Sequence, residues 1–159
     1  MTIAENVKSV KEKIAAAAIS SGRKPEDIVL VAATKMNDAD RVRQAIAAGV
    51  DVCGENRVQE LQEKNAQGAY AGAPLHFIGH LQKNKVKYLV GVVDLIQSAD
   101  SLELIEAINK KAAELGITQD VLLEINIGQE EAKSGFRPEE ASAAAEKAGG
   151  YSNIRVRGL

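Results

Sequence analysis

Apolar residues recur every three or four positions from Ile3 through Val7, Val10 and Ile14 to Ala18, with lysines and glutamates between them. That spacing predicts an amphipathic helix at the start of the chain, ending near SSGRKP, where Gly22 and Pro25 stop it. The pattern then changes. Short apolar runs read as buried strands: IVLVAA (28–33), VDVCG (50–54), LHFIG (75–79), VVDLIQS (92–98), VLLEINIG (121–128) and IRVRGL (154–159). Helical stretches separate them. Asp38 is a plausible N-cap for a helix carrying Val42, Ala45 and Ile46. Val58 and Leu61 mark the next, and Val86, Leu89 and Val90 a short third. Leu102, Ile105, Ile108, Ala112 and Leu115 mark a fourth, with Ser98 or Asp100 before it and Gly116 after it. Pro138 opens a fifth, which runs to Gly149.

Strands alternating with helices predict an α/β fold with a parallel sheet and right-handed crossovers, closed as a (β/α) barrel or left open and doubly wound. There is no GxGxxG after the first strand, which removes the main sign of a dinucleotide-binding sheet. In both closures the chemistry gathers at the carboxyl ends of the strands. The sixth strand ends with the sequence at Leu159, whereas a complete eight-stranded barrel takes roughly 250 residues. The pattern is that of one barrel domain over residues 1–159, cut off after about six strands and preceded by an extra N-terminal helix.

Composition narrows the partners. The net charge of -2 over 159 residues gives no basic face of the kind nucleic-acid binding needs. Cys53 is the single cysteine, so no intramolecular disulfide forms, as in a reducing compartment. The N-terminus is charged throughout and no apolar run approaches the ~18 residues of a membrane span. A cytoplasmic protein that does not enter membranes is the expectation.

Polar residues cluster at the strand exits, and amides dominate: Asn56, Gln82, Asn84, Gln97 and Asn126. Lys35, at the exit of the first strand, is the sharpest candidate. An amine at the mouth of an apolar strand loses hydration, which favours its attack on a carbonyl; the plainer reading is a lysine that reaches into solvent. Asn56 reads as a helix N-cap or a ligand contact. His76, inside a strand, reads as a sheet histidine, and His80, beyond the strand, as the better site residue. The two histidines have no acidic or thiol partner at metal-ligand spacing. Glu124 either faces a barrel interior or pairs with an arginine such as Arg155. Lys83, Lys85 and Lys87 read as a solvated helix face. KSGF (133–136) reads as a surface turn, with a loop over the strand ends as the alternative.

Taken together, VAATK (31–35), GENRVQE (54–60), HFIGHLQKNKVK (76–87), LLEINIGQEEAKSGF (122–136) and IRVRGL (154–159) resemble, in order and spacing, the pyridoxal-phosphate homeostasis proteins of the YggS/PROSC type. These are relatives of the barrel domain of alanine racemase. The resemblance implies a (β/α) TIM-type barrel that holds pyridoxal 5′-phosphate (PLP) through a Schiff base on Lys35, with Asn56 close to the cofactor and His80 in a matching motif. It implies a monomeric or weakly dimeric carrier that buffers PLP and delivers it to apo-enzymes. An alanine racemase-like enzyme is the alternative, and a cofactor-free scaffold a second one. Thr34 and Arg57 stand where the family often has Ser and Tyr. The family continues beyond RGL with the segments that cradle the phosphate. Residues 1–159 are therefore expected to bind the cofactor weakly by themselves and to expose sheet edges.

Overall fold

The computed structural model describes residues 1–130 and 133–159. Glu131 and Ala132, inside the LLEINIGQEEAKSGF motif, lie outside the described residues. The chain forms two compact units: Met1–Glu55 with Gln59–Leu75, and Asn56–Val58 with His76–Leu159.

The first unit opens with α1 (Ile3–Ser20), started by a reciprocal cap. Glu5 N–H donates to Thr2 Oγ1, and Thr2 N–H donates to Glu5 Oε2. β1 (Val31–Ala33) and β2 (Val52–Glu55) pair in parallel, with α2 (Ala39–Ala47) between them and α3 (Val58–Ala66) after. Asp38 caps α2 as its position suggests, accepting from Arg41 N–H at 2.8 Å. β1 begins at Val31 rather than Ile28 because residues Pro25–Asp27 form a 3-10 turn. In addition, Leu30 N–H is taken by the Asp51 side chain at 2.8 Å. Asp51 also receives Lys11 of α1 at 2.8 Å, which ties the helix to the start of β2. That bond, opposed by partial burial, holds the Asp51 carboxyl below the usual range. β2 is buried at every position, as a parallel strand covered on both faces must be.

The second unit carries β3 (Leu75–Phe77) from His76 onward, β4 (Leu95–Ala99), β5 (Gln119–Leu123) and β6 (Ile154–Gly158), parallel and in chain order. α4 (Leu102–Leu115) and α5 (Ala141–Gly149) cross between strands, and Lys83–Tyr88 is a 3-10 helix rather than an α-helix. Ser101, not Ser98 or Asp100, caps α4 by accepting from Leu104 N–H. Gly116 closes it at φ 67°, a left-handed conformation that glycine adopts without a Cβ penalty. Ile96, Ile105, Ile108, Val121 and Leu123 are essentially sealed from solvent. Each contributes about 1.5–3 kcal/mol by leaving water. Of the three 3-10-helix lysines, Lys83 pairs with Glu103, and the Nζ atoms of Lys85 and Lys87 lie 5.7 and 5.0 Å from the Tyr88 ring centroid.

β5 ends at Leu123, so the INIG residues leave the ladder. Their backbone turns to the returning chain instead: Phe136 N–H donates to Glu124 O and Asn126 N–H to Phe136 O, both at 2.8 Å. KSGF is thus a built return, not a plain surface turn. Gly135, at φ 114°, is required there, since a Cβ would lie 2.9 Å from Asn126 N.

Candidate functional site

In the first unit, β1 delivers Thr34 and Lys35 into a tight turn. Thr34 is buried, and its hydroxyl donates to Glu55 Oε1 at 2.6 Å, with Gly54 O at 3.2 Å. Glu55 ends β2 fully buried, and its Oε1 also accepts from Lys64 Nζ at 2.6 Å and Tyr70 Oη at 3.0 Å. Lys64, on the inner face of α3 and 5% exposed, also donates to Thr34 O at 2.7 Å. Its Nζ lies 3.4 Å from Glu60 Oε1, which accepts from Met36 N–H at 2.6 Å. Met36 sits at φ 60°, a left-handed conformation worth about 1–2 kcal/mol of strain for a non-glycine residue. The Lys35 side chain itself is exposed. The dehydration suggested by the apolar strand is therefore absent: the strand stops at Ala33, and the turn lifts the amine into solvent. What is buried is the ionic scaffold that holds its backbone. Burial, and then the Glu55 carboxylate, push the Cys53 thiol up to about 11 and raise the Tyr70 hydroxyl as well.

In the second unit, Asn56 and Gly79 meet backbone to backbone. A Cβ on Gly79 would come within 2.3 Å of Asn56 O. Asn56 Oδ1 is buried without a hydrogen-bond partner, so Asn56 is not the helix cap its position suggested. His80 is 60% exposed, with Nδ1 3.3 Å from Asp100 Oδ2. It lines an open cavity of about 520 Å³ together with Glu124, Asn126, Lys133 and Ser134. Burial, and then the nearby Asp100 carboxylate, raise the Glu124 carboxyl above its ordinary value. Glu124 thus faces a cavity, and Arg155 pairs with Asp120 instead, at 2.7 and 3.0 Å. His76 is the sheet histidine its position suggested: Gln97 Nε2 donates to its Nδ1 at 3.0 Å, and burial lowers its pKa.

Among the described residues no three His, Cys, Asp or Glu side chains converge as a metal set, and no helix is long and apolar enough to cross a membrane. The residues that sequence reasoning missed are Lys64, Glu60 and Tyr70. The signal for Lys64 was its place three residues after Leu61 on the apolar stripe that begins at Val58.

The family model described as alanine racemase, N-terminal domain, matches residues 2–159. The chain belongs to this family. It is 40% identical to the pyridoxal phosphate homeostasis protein of Aquifex aeolicus over 159 residues, which is 100% of this chain and 70% of that protein. A crystal structure of an unknown protein from Bifidobacterium adolescentis is 41% identical, with a TM-score of 0.91 over 99% of this chain and 68% of that one. PipY of Synechococcus elongatus, solved with PLP bound, is 30% identical, with a TM-score of 0.82 over 99% of this chain and 69% of PipY. Alanine racemase of Clostridium difficile, at 22% identity and a TM-score of 0.66 over 84% of this chain and 35% of that one, shares the fold. Between the two closures that strand–helix alternation left open, family membership selects the (β/α)-barrel type.

Proposed function

We propose that this chain holds pyridoxal 5′-phosphate on Lys35 and serves as a cytoplasmic carrier that buffers the cofactor and hands it to PLP-dependent apo-enzymes. When bound, the cofactor supplies an aldehyde, to which a primary amine adds with formation of a C=N bond and release of water. Lys35 Nζ is that amine: the residue is exposed at the exit of β1, on a backbone held by buried Lys64 and partly exposed Glu60. The observation that carries the reading is this placement of a reachable lysine on a fixed turn, within a chain of the homeostasis family. Asn56 and His80 are proposed as polar contacts. Asn56 offers a buried amide oxygen still lacking a donor, and His80 a ring on a cavity rim.

The reading is tested by mixing the protein with PLP, reducing with borohydride and mapping the modified peptide. The adduct is expected on Lys35 and absent from Lys35→Ala. An adduct of undiminished yield in that variant would place the chemistry on another lysine. Transfer is read by the recovery of activity in an apo-enzyme mixed with loaded protein. Recovery no faster than with the same amount of free PLP argues against delivery and leaves buffering alone.

A further inference from the structure

Lys35 is joined to the chain through two peptide planes, and each is gripped by a side chain from α3. Upstream, the Thr34 carbonyl accepts from Lys64 Nζ at 2.7 Å. Downstream, the Met36 N–H donates to Glu60 Oε1 at 2.6 Å. A residue has two soft backbone torsions, so fixing the planes on both sides fixes the direction in which its side chain leaves. The grips are themselves anchored. Lys64 is held at 2.6 Å by Glu55, and Glu55 by the hydroxyls of Thr34 and Tyr70.

We propose that Lys64 and Glu60 are positioning residues for Lys35, a two-sided clamp that sets where its amine stands before any aldehyde arrives. This rests on the reading that Lys35 takes the cofactor. Stability alone does not account for the arrangement. A buried ion pair is often no more stabilising than apolar residues of the same volume. Apolar residues, however, cannot hold a carbonyl on one side of Lys35 and an N–H on the other. Met36 also needs the grip, because its left-handed backbone relaxes when the turn is released. An exposed amine on a four-carbon stem has many rotamers, and fixing its root is the part of that freedom the protein controls.

Glu60 is the accessible handle, being partly exposed, whereas changing Lys64 strands a buried carboxylate. The experiment compares wild type, Glu60→Ala, Glu60→Gln and Lys35→Ala. Amide hydrogen exchange at Met36 is read in the cofactor-free protein, and the rate of the borohydride-trapped adduct on Lys35 after adding PLP. In Glu60→Ala, Met36 exchange is expected to quicken and the adduct to form about tenfold or more slowly, the scale of a misplaced reacting group. Glu60→Gln keeps an acceptor oxygen and restores both. Faster exchange with an unchanged adduct rate would make the grip merely structural, and unchanged exchange would mean there is no grip; either overturns the proposal. If Lys35→Ala forms the adduct as well as wild type, the reading of Lys35 fails instead, and the exchange data report that separately. Should Glu60→Ala not fold, Lys64→Arg is the second variant. It keeps the charge and a donor for Thr34 O but alters its reach, and an adduct rate equal to wild type in a folded Lys64→Arg would count against the clamp.

Discussion

The two units treat charge at their strand exits in opposite ways. In the first, Thr34, Glu55, Glu60, Lys64 and Tyr70 turn inward and hold one another and the backbone. Their groups are spent on geometry. In the second, His80 and Glu124 line an open cavity, and the His80–Asp100 pair, with its histidine mostly in solvent, contributes little to stability. The difference separates two jobs. A buried, mutually bonded network fixes a position, while half-solvated groups facing a cavity stay free to meet something that enters it. The same residue types, a few strands apart, serve as framework or as contact surface according to burial.

The strongest way to break this contrast is Lys64→Met. It leaves the Glu55 carboxylate buried without its cation, and urea unfolding is expected to show a loss of about 3–5 kcal/mol. Glu55→Leu with Lys64→Met removes both charges and recovers much of that loss, though Thr34 O still lacks its donor. A single variant within about 1 kcal/mol of wild type would mean the network is not the framework argued for the first unit.

Gly79→Ala probes packing in the second unit. The new Cβ falls 2.3 Å from the Asn56 carbonyl oxygen, so the backbone must shift, at a cost of about 1–3 kcal/mol. An unchanged thermal midpoint would show that this contact gives way freely.

Glu124→Gln sharpens the comparison through pH. Burial raises the Glu124 carboxyl above its ordinary 4.5, so the folded state holds that proton more tightly than the unfolded one. Its favourable contribution is complete below 4.5 and disappears as pH rises through the raised value. The variant is therefore expected to gain on wild type over that rise, tracked by denaturation midpoints across the acidic range. A gap independent of pH would refute the burial argument.

The mildest expectation is a reaction that does not occur. Cys53 is fully buried and its thiol is pushed up to about 11, so iodoacetamide in mildly alkaline buffer should leave it intact until urea is added. Rapid labelling of native protein would show that the first unit opens readily.

Much of the fold was legible because its signals are local. Periodicity located α1 and α4, Asp38 marked the start of α2 and Gly116 the end of α4, and Lys35 stood out as a cation after an apolar run. Strand limits were less legible: Ile28 and Ile125 are as apolar as any strand residue. They leave the ladder because Asp51 and Phe136, 23 and 11 residues from Ile28 and Ile125, take their neighbours' hydrogen bonds. Glu124 and Arg155 illustrate the same limit, since opposite charges in sequence do not reveal which of several carboxylates, Asp120 in this case, is opposite in space.

By itself the sequence determined the alternation of strands and helices, the polar residues that follow the apolar runs and the family to which the chain belongs, because these depend on residue type and spacing along one dimension. Only the tertiary structure decided that Lys35 is a solvated amine on a buried ionic footing, that Asn56 keeps an unpaired oxygen, and that KSGF folds back along the end of β5. Those outcomes depend on which polar groups find partners once water is excluded, and the partners come from elements far apart in the chain.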